Sequence, residues 1–458
     1  MSVSQDMLEL RILSEAGLCQ SFIAAQLCFY CIVSSAPSLF IRYHQRIVDR
    51  MAPNKGGIAL QSMPTEARTF ELRKKDLDHP ALRLDKMRNA IPKSAFEKSL
   101  AWSLFHMFFD YAMWLGSLYC IIQFNTSDYY ATAPEWQKWA ATLAFWNISG
   151  FFMWGIFVVG HDCGHGTFSK NKMLNDIIGH ICHASIMVPF YPWALSHRRH
   201  HMYHNHVDKD YSHPWYTPDK MEKPEFGLAR MMEKAPWLRA TFPFYGWAVY
   251  LWGMPDGSHF VPMSFTGPEN NRLWNESKEL TKGYQDHINC VISSATVFAA
   301  AAGILHLCQW DWNTFAYYYL ASALVYGWWL VTVTYLQHHD HSTEVFDDND
   351  WNFVYSAFET IDRKFGFGID YLHHHITDGH LAHHLFFTSI PHYNLPIATE
   401  AIYEYMAKHG LGHMVKRDQT QDFFLRVHSY FVEFGFAAKR FGWNAGGAGE
   451  SKNAKKTK

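Results

Sequence analysis

Residues 139–165 read WAATLAFWNISGFFMWGIFVVGHDCGH, and this stretch decides the fold. From Trp139 to Gly160 it carries no charged side chain. A run of about 20 mostly apolar residues, helical at about 1.5 Å per residue, crosses the hydrocarbon core of a bilayer. His161 and His165 follow at once, four apart, and so lie on one face of a helix that continues past the membrane.

Three more runs of this kind flank it. Ser99 to Gln123 is broken only by His106 and Asp110, His287 to Cys308 precedes a short polar turn, and Trp312 to Gln337 is free of charge. The expected fold is all-α and integral to a membrane: two transmembrane helical hairpins, four core helices in all, under a cytosolic helical cap. A fifth apolar run, Gly17 to Ile41, is interrupted by Pro37 and reads as an extra membrane helix or a membrane-lying segment; it lies too far from the start for a signal peptide. The chain divides into an N-terminal extension (1–66), a basic segment (67–98), the membrane core (99–400) and a C-terminal tail (401–458). Lysine and arginine set the orientation. Ala67 to Lys98 is crowded with them, whereas 124–138 holds only Lys138 and 309–311 none, so the basic segment is cytosolic and the short loops face the other side. One of those loops holds a sequon, Asn125-Thr126-Ser127.

Composition agrees. Of 458 residues, 48% are hydrophobic, 17% aromatic and only 18% charged, and the net charge of −2 gives no basis for nucleic-acid binding. The eight cysteines sit mostly in apolar runs and form no paired C-x-x-C pattern, so they are expected to be small buried residues. The anomaly is histidine, at 29 residues.

Those histidines cluster on the side assigned to the cytosol: His161 and His165; His197, His200 and His201; His380, His383 and His384. Spacings of three and four bring each cluster onto one helical face. Eight imidazoles are too many for one ion and suit two with open positions. Zinc has no redox chemistry, whereas two irons activate dioxygen, so a di-iron centre at a membrane surface is expected. His338, at the end of the fourth run, is a candidate ninth ligand, in competition with His373, His374 and His375. His204, His206 and His213 read as surface or supporting groups, His180 and His183 as packing, and His392 as support. Asp162, Asp208, Asp210 and Asp378 are candidates to accept the second ring hydrogen of ligating histidines.

In their order, H-x3-H, H-x2-H-H and a distant H-x2-H-H, these clusters resemble those of the membrane fatty acyl desaturases. The text around them is similar to the methyl-end group, the delta-12 and omega-3 enzymes: Gly160-His161-Asp162-Cys163-Gly164-His165-Gly166-Thr167-Phe168-Ser169, Ser196-His197-Arg198-Arg199-His200-His201, and Ile376 to Phe386 followed by Ile390-Pro391-His392-Tyr393. The similarity covers about residues 91–405. It implies two irons in the histidine boxes and insertion of a cis double bond into a fatty acyl lipid or acyl-CoA, with dioxygen and with electrons from cytochrome b5 and its reductase. That donor would be a separate protein, since no His-Pro-Gly-Gly motif of a fused domain is present; His79-Pro80 is followed by Ala81. The terminal Lys455-Lys456-Thr457-Lys458 resembles a dilysine retrieval signal and implies a multi-pass protein of the endoplasmic reticulum membrane with a cytosolic C-terminus, its last stretch, 446–458, lacking fixed structure. A fatty acyl hydroxylase on the same scaffold is the near alternative, and a zinc-dependent membrane hydrolase the distant one.

Overall fold

The computed structural model describes residues 73–441 except 211, 214, 223–226, 254–257, 261–283, 434, 438 and 439. The apolar run at 17–41, the terminal 446–458 stretch and the dilysine sequence lie outside the described residues.

Among the described residues, four helices are long and apolar enough to cross a membrane: Leu100–Asn125, Glu135–His165, Ile288–Leu307 and Trp312–His338. They coincide with the four apolar runs, and they mark a membrane protein. We label α1 Leu100–Asn125, α2 Glu135–His165, α3 Lys172–Ser185, α4 Phe190–Tyr203, α5 Pro236–Trp252, α6 Tyr284–Leu307, α7 Ala321–His338, α8 His380–Phe386, α9 Leu395–Lys408 and α10 Phe423–Glu433. A π-helical turn, Ala316–Leu320, leads into α7. Ser99 caps α1 by accepting the Trp102 N–H.

Burial sorts the four spans. In α2 and the Trp312–His338 span 72% of the apolar window is buried, against 28% in α1 and 22% in α6. The first two therefore form the centre, and the other two turn apolar side chains such as Phe108, Tyr119 and Val291 outward, as helices solvated by lipid do. α2 packs against α1, α3 and α7, α7 against α5 and α10, and α6 against α3 and α4. Asn125 of the sequon is turned inward, its Nδ2 donating to the hydroxyls of Tyr317 and Tyr318 at 3.2 Å each, which sets it against glycosylation. Cys120 is exposed on α1, whereas Cys163, Cys182, Cys290 and Cys308 are buried.

The segments read from sequence as the cap share a core. Met87, Ile91 and Ala95, from the basic segment, pack with Leu381 and Leu385 of α8 and with Ile402 and Met406 of α9. Within the stretch read from sequence as a tail, residues 401–408 and 423–433 are helical and packed: Ile402, Met406, Val427 and Phe431 are fully buried. Among the described residues are also four short strands that the all-α expectation omitted. β1 (Glu344–Val345) pairs parallel with β4 (Arg440–Phe441), and β2 (Ile361–Arg363) with β3 (Lys416–Asp418). They join the segment after α7 to the last part of the chain.

Candidate metal centre

Helix α2 runs unbroken from its apolar stretch through both histidines. It stops at Gly166, whose φ of +71° a side chain would oppose and whose N–H closes on the Cys163 carbonyl at 3.0 Å. His161 and His165 therefore project rigidly from one helical face. His197, His200 and His201 lie on the last turns of α4, His380, His383 and His384 on α8, and His338 is the final residue of α7. All but His197 are buried; His197 is partly so.

The Nε2 atoms of five histidines form a chain: His165 to His161 at 3.1 Å, His161 to His383 at 3.1 Å, His383 to His201 at 3.1 Å, and His201 to His197 at 3.0 Å. Their candidate ligand atoms all fall within 4.8 Å of one another. A second group abuts the first. His380 Nε2 is 2.9 Å from His338 Nε2 and 3.1 Å from His384 Nε2, and His338 also converges with His200 and His213. The ring centroids of His201 and His384, one from each group, are 4.2 Å apart. A ring nitrogen without a donor opposite it is costly when buried. Convergence of so many is relieved by cations, and ten imidazoles in two abutting sets fit two metal ions of the imidazole-preferring kind.

The electrostatics suit this. Burial, reinforced by neighbouring imidazoles, holds His197, His201, His380, His383 and His384 well below the ordinary histidine range, and pushes His200 down to about 3. These rings are neutral at physiological pH, the form that binds metal. His200 donates Nδ1–H to both oxygens of Asp210, at 2.9 and 3.0 Å, which aims its Nε2 at the second group. Burial pushes the Asp210 carboxyl up to about 6; a bound dication would draw it down again.

Of the other proposed acceptors, Asp162 holds His392 at 2.9 Å and lies 3.4 Å from His161 Nδ1. Asp208 pairs instead with Lys220 at 3.1 Å, and Asp378 with His375 at 3.1 Å. Among the rivals for a ninth position, His338 enters the second group, whereas His373 packs against Phe151 and Trp329 and His374 turns to Asp110. His183 is stacked on Phe157 and His180 bonds Ser293, so both serve packing. His206, read as a surface or supporting group, is buried and bonds Asp348 at 3.1 Å. Two histidines were underrated by sequence. His213 converges with His200 and His338, and the His204 ring lies 4.6 Å from that of His384, tilted against it. His204 follows His200 by four residues and His201 by three, a helical spacing that was there to be read, whereas His213 stands at no such spacing from a cluster.

A cavity of about 160 Å³ meets both groups at His161, His197, His200, His338 and His380. Its remaining wall is mainly apolar, including Trp154, Phe157, Val158, Trp193, Trp247 and Leu330. An elongated apolar ligand can thus lie with one point of its length against the nitrogens.

Comparison with known proteins gives one answer. The family model for fatty acid desaturases matches residues 137–417. The chain is 38% identical over 347 residues to the delta(12) fatty acid desaturase fat-2 of Caenorhabditis elegans, covering 74% of this chain and 84% of the relative. It is 39% identical over 325 residues to the omega-3 fatty acid desaturase fat-1 of the same organism, covering 70% and 72%. An sn-1 acyl-lipid omega-3 desaturase (ferredoxin) of Synechocystis is 36% identical over 324 residues, covering 70% and 80%.

Proposed function

We propose a specific chemistry for this chain, which belongs to the fatty acid desaturase family and is an oxidoreductase of its methyl-end group: insertion of one cis double bond, at the delta-12 or the omega-3 position, into an already unsaturated acyl chain carried on a lipid or on coenzyme A. The reaction consumes one dioxygen, two electrons and two protons, converts CH2–CH2 to CH=CH, and releases two waters. The observation that carries the reading is the apolar cavity that runs into both histidine groups.

His161, His165, His197, His201 and His383 would hold one iron, and His200, His338, His380 and His384, with His213 beside them, the other. Bound there, the two irons supply the dioxygen chemistry that removes hydrogen from unactivated methylenes. The residues of the chain do the rest. A saturated stretch of acyl chain offers no polar handle, so Trp154, Phe157, Trp193 and Trp247 select the methylene pair by shape and keep water out. Asp210 fixes the ring of His200, and α2, α4, α7 and α8 each bring their histidines on a rigid helical end.

The electron donor is cytochrome b5 with its reductase, acting from the cytosol; the basic segment 67–98 supports that side for the histidines, and the dilysine sequence supports residence in the endoplasmic reticulum. The printed name of the Synechocystis relative specifies ferredoxin, so the donor is to be tested as well.

The test is fatty-acid profiling by gas chromatography–mass spectrometry of yeast that expresses the chain and is fed nothing, linoleate or arachidonate. New linoleate from the host's oleate identifies a delta-12 enzyme, and omega-3 products from the fed acids an omega-3 enzyme. Hydroxylated acids in place of new double bonds would overturn the reading. Turnover in isolated membranes with NADH, abolished by antibody to cytochrome b5, checks the donor.

A further inference from the structure

Away from both groups, three more imidazoles meet. His106 lies on α1, His374 in the loop before α8, and His392 in the turn before α9. All three are buried, with ring centroids 4.5 to 4.9 Å apart and candidate ligand atoms within 4.8 Å of one another. His374 donates Nε2–H to Asp110 at 2.8 Å, which leaves its Nδ1 buried without a partner. His392 donates Nδ1–H to Asp162 at 2.9 Å, which leaves its Nε2 buried without a partner. A carboxylate on one ring nitrogen fixes the proton there and turns the opposite lone pair outward; it is how metal-binding histidines are oriented. The Tyr393 hydroxyl, whose ring stacks on His106, donates to the Ser99 carbonyl at 3.2 Å.

Charge argues the same way. Asp110 and Asp162 are 0% and 3% exposed, and among the described residues their ion-pair partners are histidines alone. Two buried carboxylates whose ion-pair contacts are with imidazoles alone favour a positive charge between them. The backbone is also held out of its preferred region, His374 at φ +58°, as happens where surrounding structure imposes a particular side-chain placement.

We propose that His106, His374 and His392 form a third metal site, for a divalent first-row cation, zinc fitting best because the site offers three imidazoles and needs no redox change. The ion would tie α1 to both segments that flank α8. It would also fix Asp162, which stands 3.4 Å from His161 Nδ1, and so steady one edge of the first histidine group.

The test counts metal. Full-length protein in detergent is stripped with a chelator, reloaded with Zn2+ alone, freed of excess and measured by inductively coupled plasma mass spectrometry, with gel filtration and circular dichroism to confirm the fold. Wild type should hold three zinc per chain, and His106→Gln and the double variant His374→Gln/His392→Gln two. These variants reach the site from different elements, so the misfolding of one leaves the other informative. A wild-type count of two that neither folded variant lowers, or a count of three that both retain, overturns the proposal. His380→Gln/His384→Gln tests the pair separately: a wild-type count of one, kept in that variant and lost in His106→Gln, keeps the third site and sinks the dinuclear reading.

Discussion

Asp210 carries more of the second histidine group than its position outside every cluster suggests. It accepts from His200 and also from the backbone N–H of Asn205 and of His213, at 3.1 Å each, so one carboxylate fixes a ligand ring and the loop that brings in His213. Asp210→Ala should lower metal affinity about 10–100-fold, the usual effect of removing such an acceptor, read by competition with a chelator; unchanged affinity would remove His200 from the set. A different carboxyl should govern stability against pH. Asp362 accepts the Leu381 N–H at 2.9 Å and the Tyr403 hydroxyl, and burial pushes it up to about 7. With its native pKa above the unfolded value near 3.8, the folded state binds the extra proton, and stability falls as pH rises from about 4 to about 7. Asp362→Asn should match wild type near pH 4 and melt above it at pH 8, measured by thermal unfolding at both. At this scale sequence spacing was informative where ligands share a helix, as His161 with His165, or His380 with His383 and His384. It was silent on His338, His213 and the His106–His374–His392 set, which meet only through tertiary closure.

The second helix was legible because it obeys one rule throughout: apolar while it is in lipid, histidine-bearing where it emerges, and stopped by Gly166. Its packing was not, since nothing in a run of small and aromatic residues says which neighbour each will meet. Gly160 shows the difference. A Cβ there would lie 2.2 Å from Cδ2 of His183, so the bare backbone is what lets α3 bring the His183 ring, stacked on Phe157, against the turn that carries His161. Gly160→Ala should therefore destabilise by about 1–3 kcal/mol through overpacking and reduce bound metal. Adding His183→Ala should restore part of the loss, a coupling that a double-mutant cycle in thermal unfolding and metal content would measure. Strict additivity would mean that the two residues do not press on each other.

Membrane crossing could be read from the chain because the bilayer imposes a length and a polarity that no partner alters, whereas the cap depends on contacts between distant segments. The basic segment illustrates this. Its charge density reads as a solvated stretch, yet Arg73 is 2% exposed, 2.7 Å from Glu359 and donating to the Phe358 carbonyl at 2.9 Å. Glu359 is fully buried, also receives Lys416 at 2.6 Å and the Glu344 N–H at 2.8 Å, and is held below the usual carboxylate range by the two cations despite burial. One carboxylate thus joins the start of the described chain, the segment after α7 and strand β3, around the same core that seats α8. Removing one partner of such a buried set costs up to about 3–5 kcal/mol, most where it strands a charge, as loss of Glu359 would strand Lys416. Arg73→Ala should lower the unfolding midpoint accordingly and, because α8 loses its support, reduce metal held by His380, His383 and His384 more than metal held elsewhere. Arg73→Met/Glu359→Met, which leaves the largely buried Lys416 without its carboxylate, should fall below the single variant. Thermal unfolding and metal analysis of the three proteins decide it: a single variant as stable as wild type would show that the cap does not depend on this tie, and that the basic segment is as peripheral as its sequence suggests.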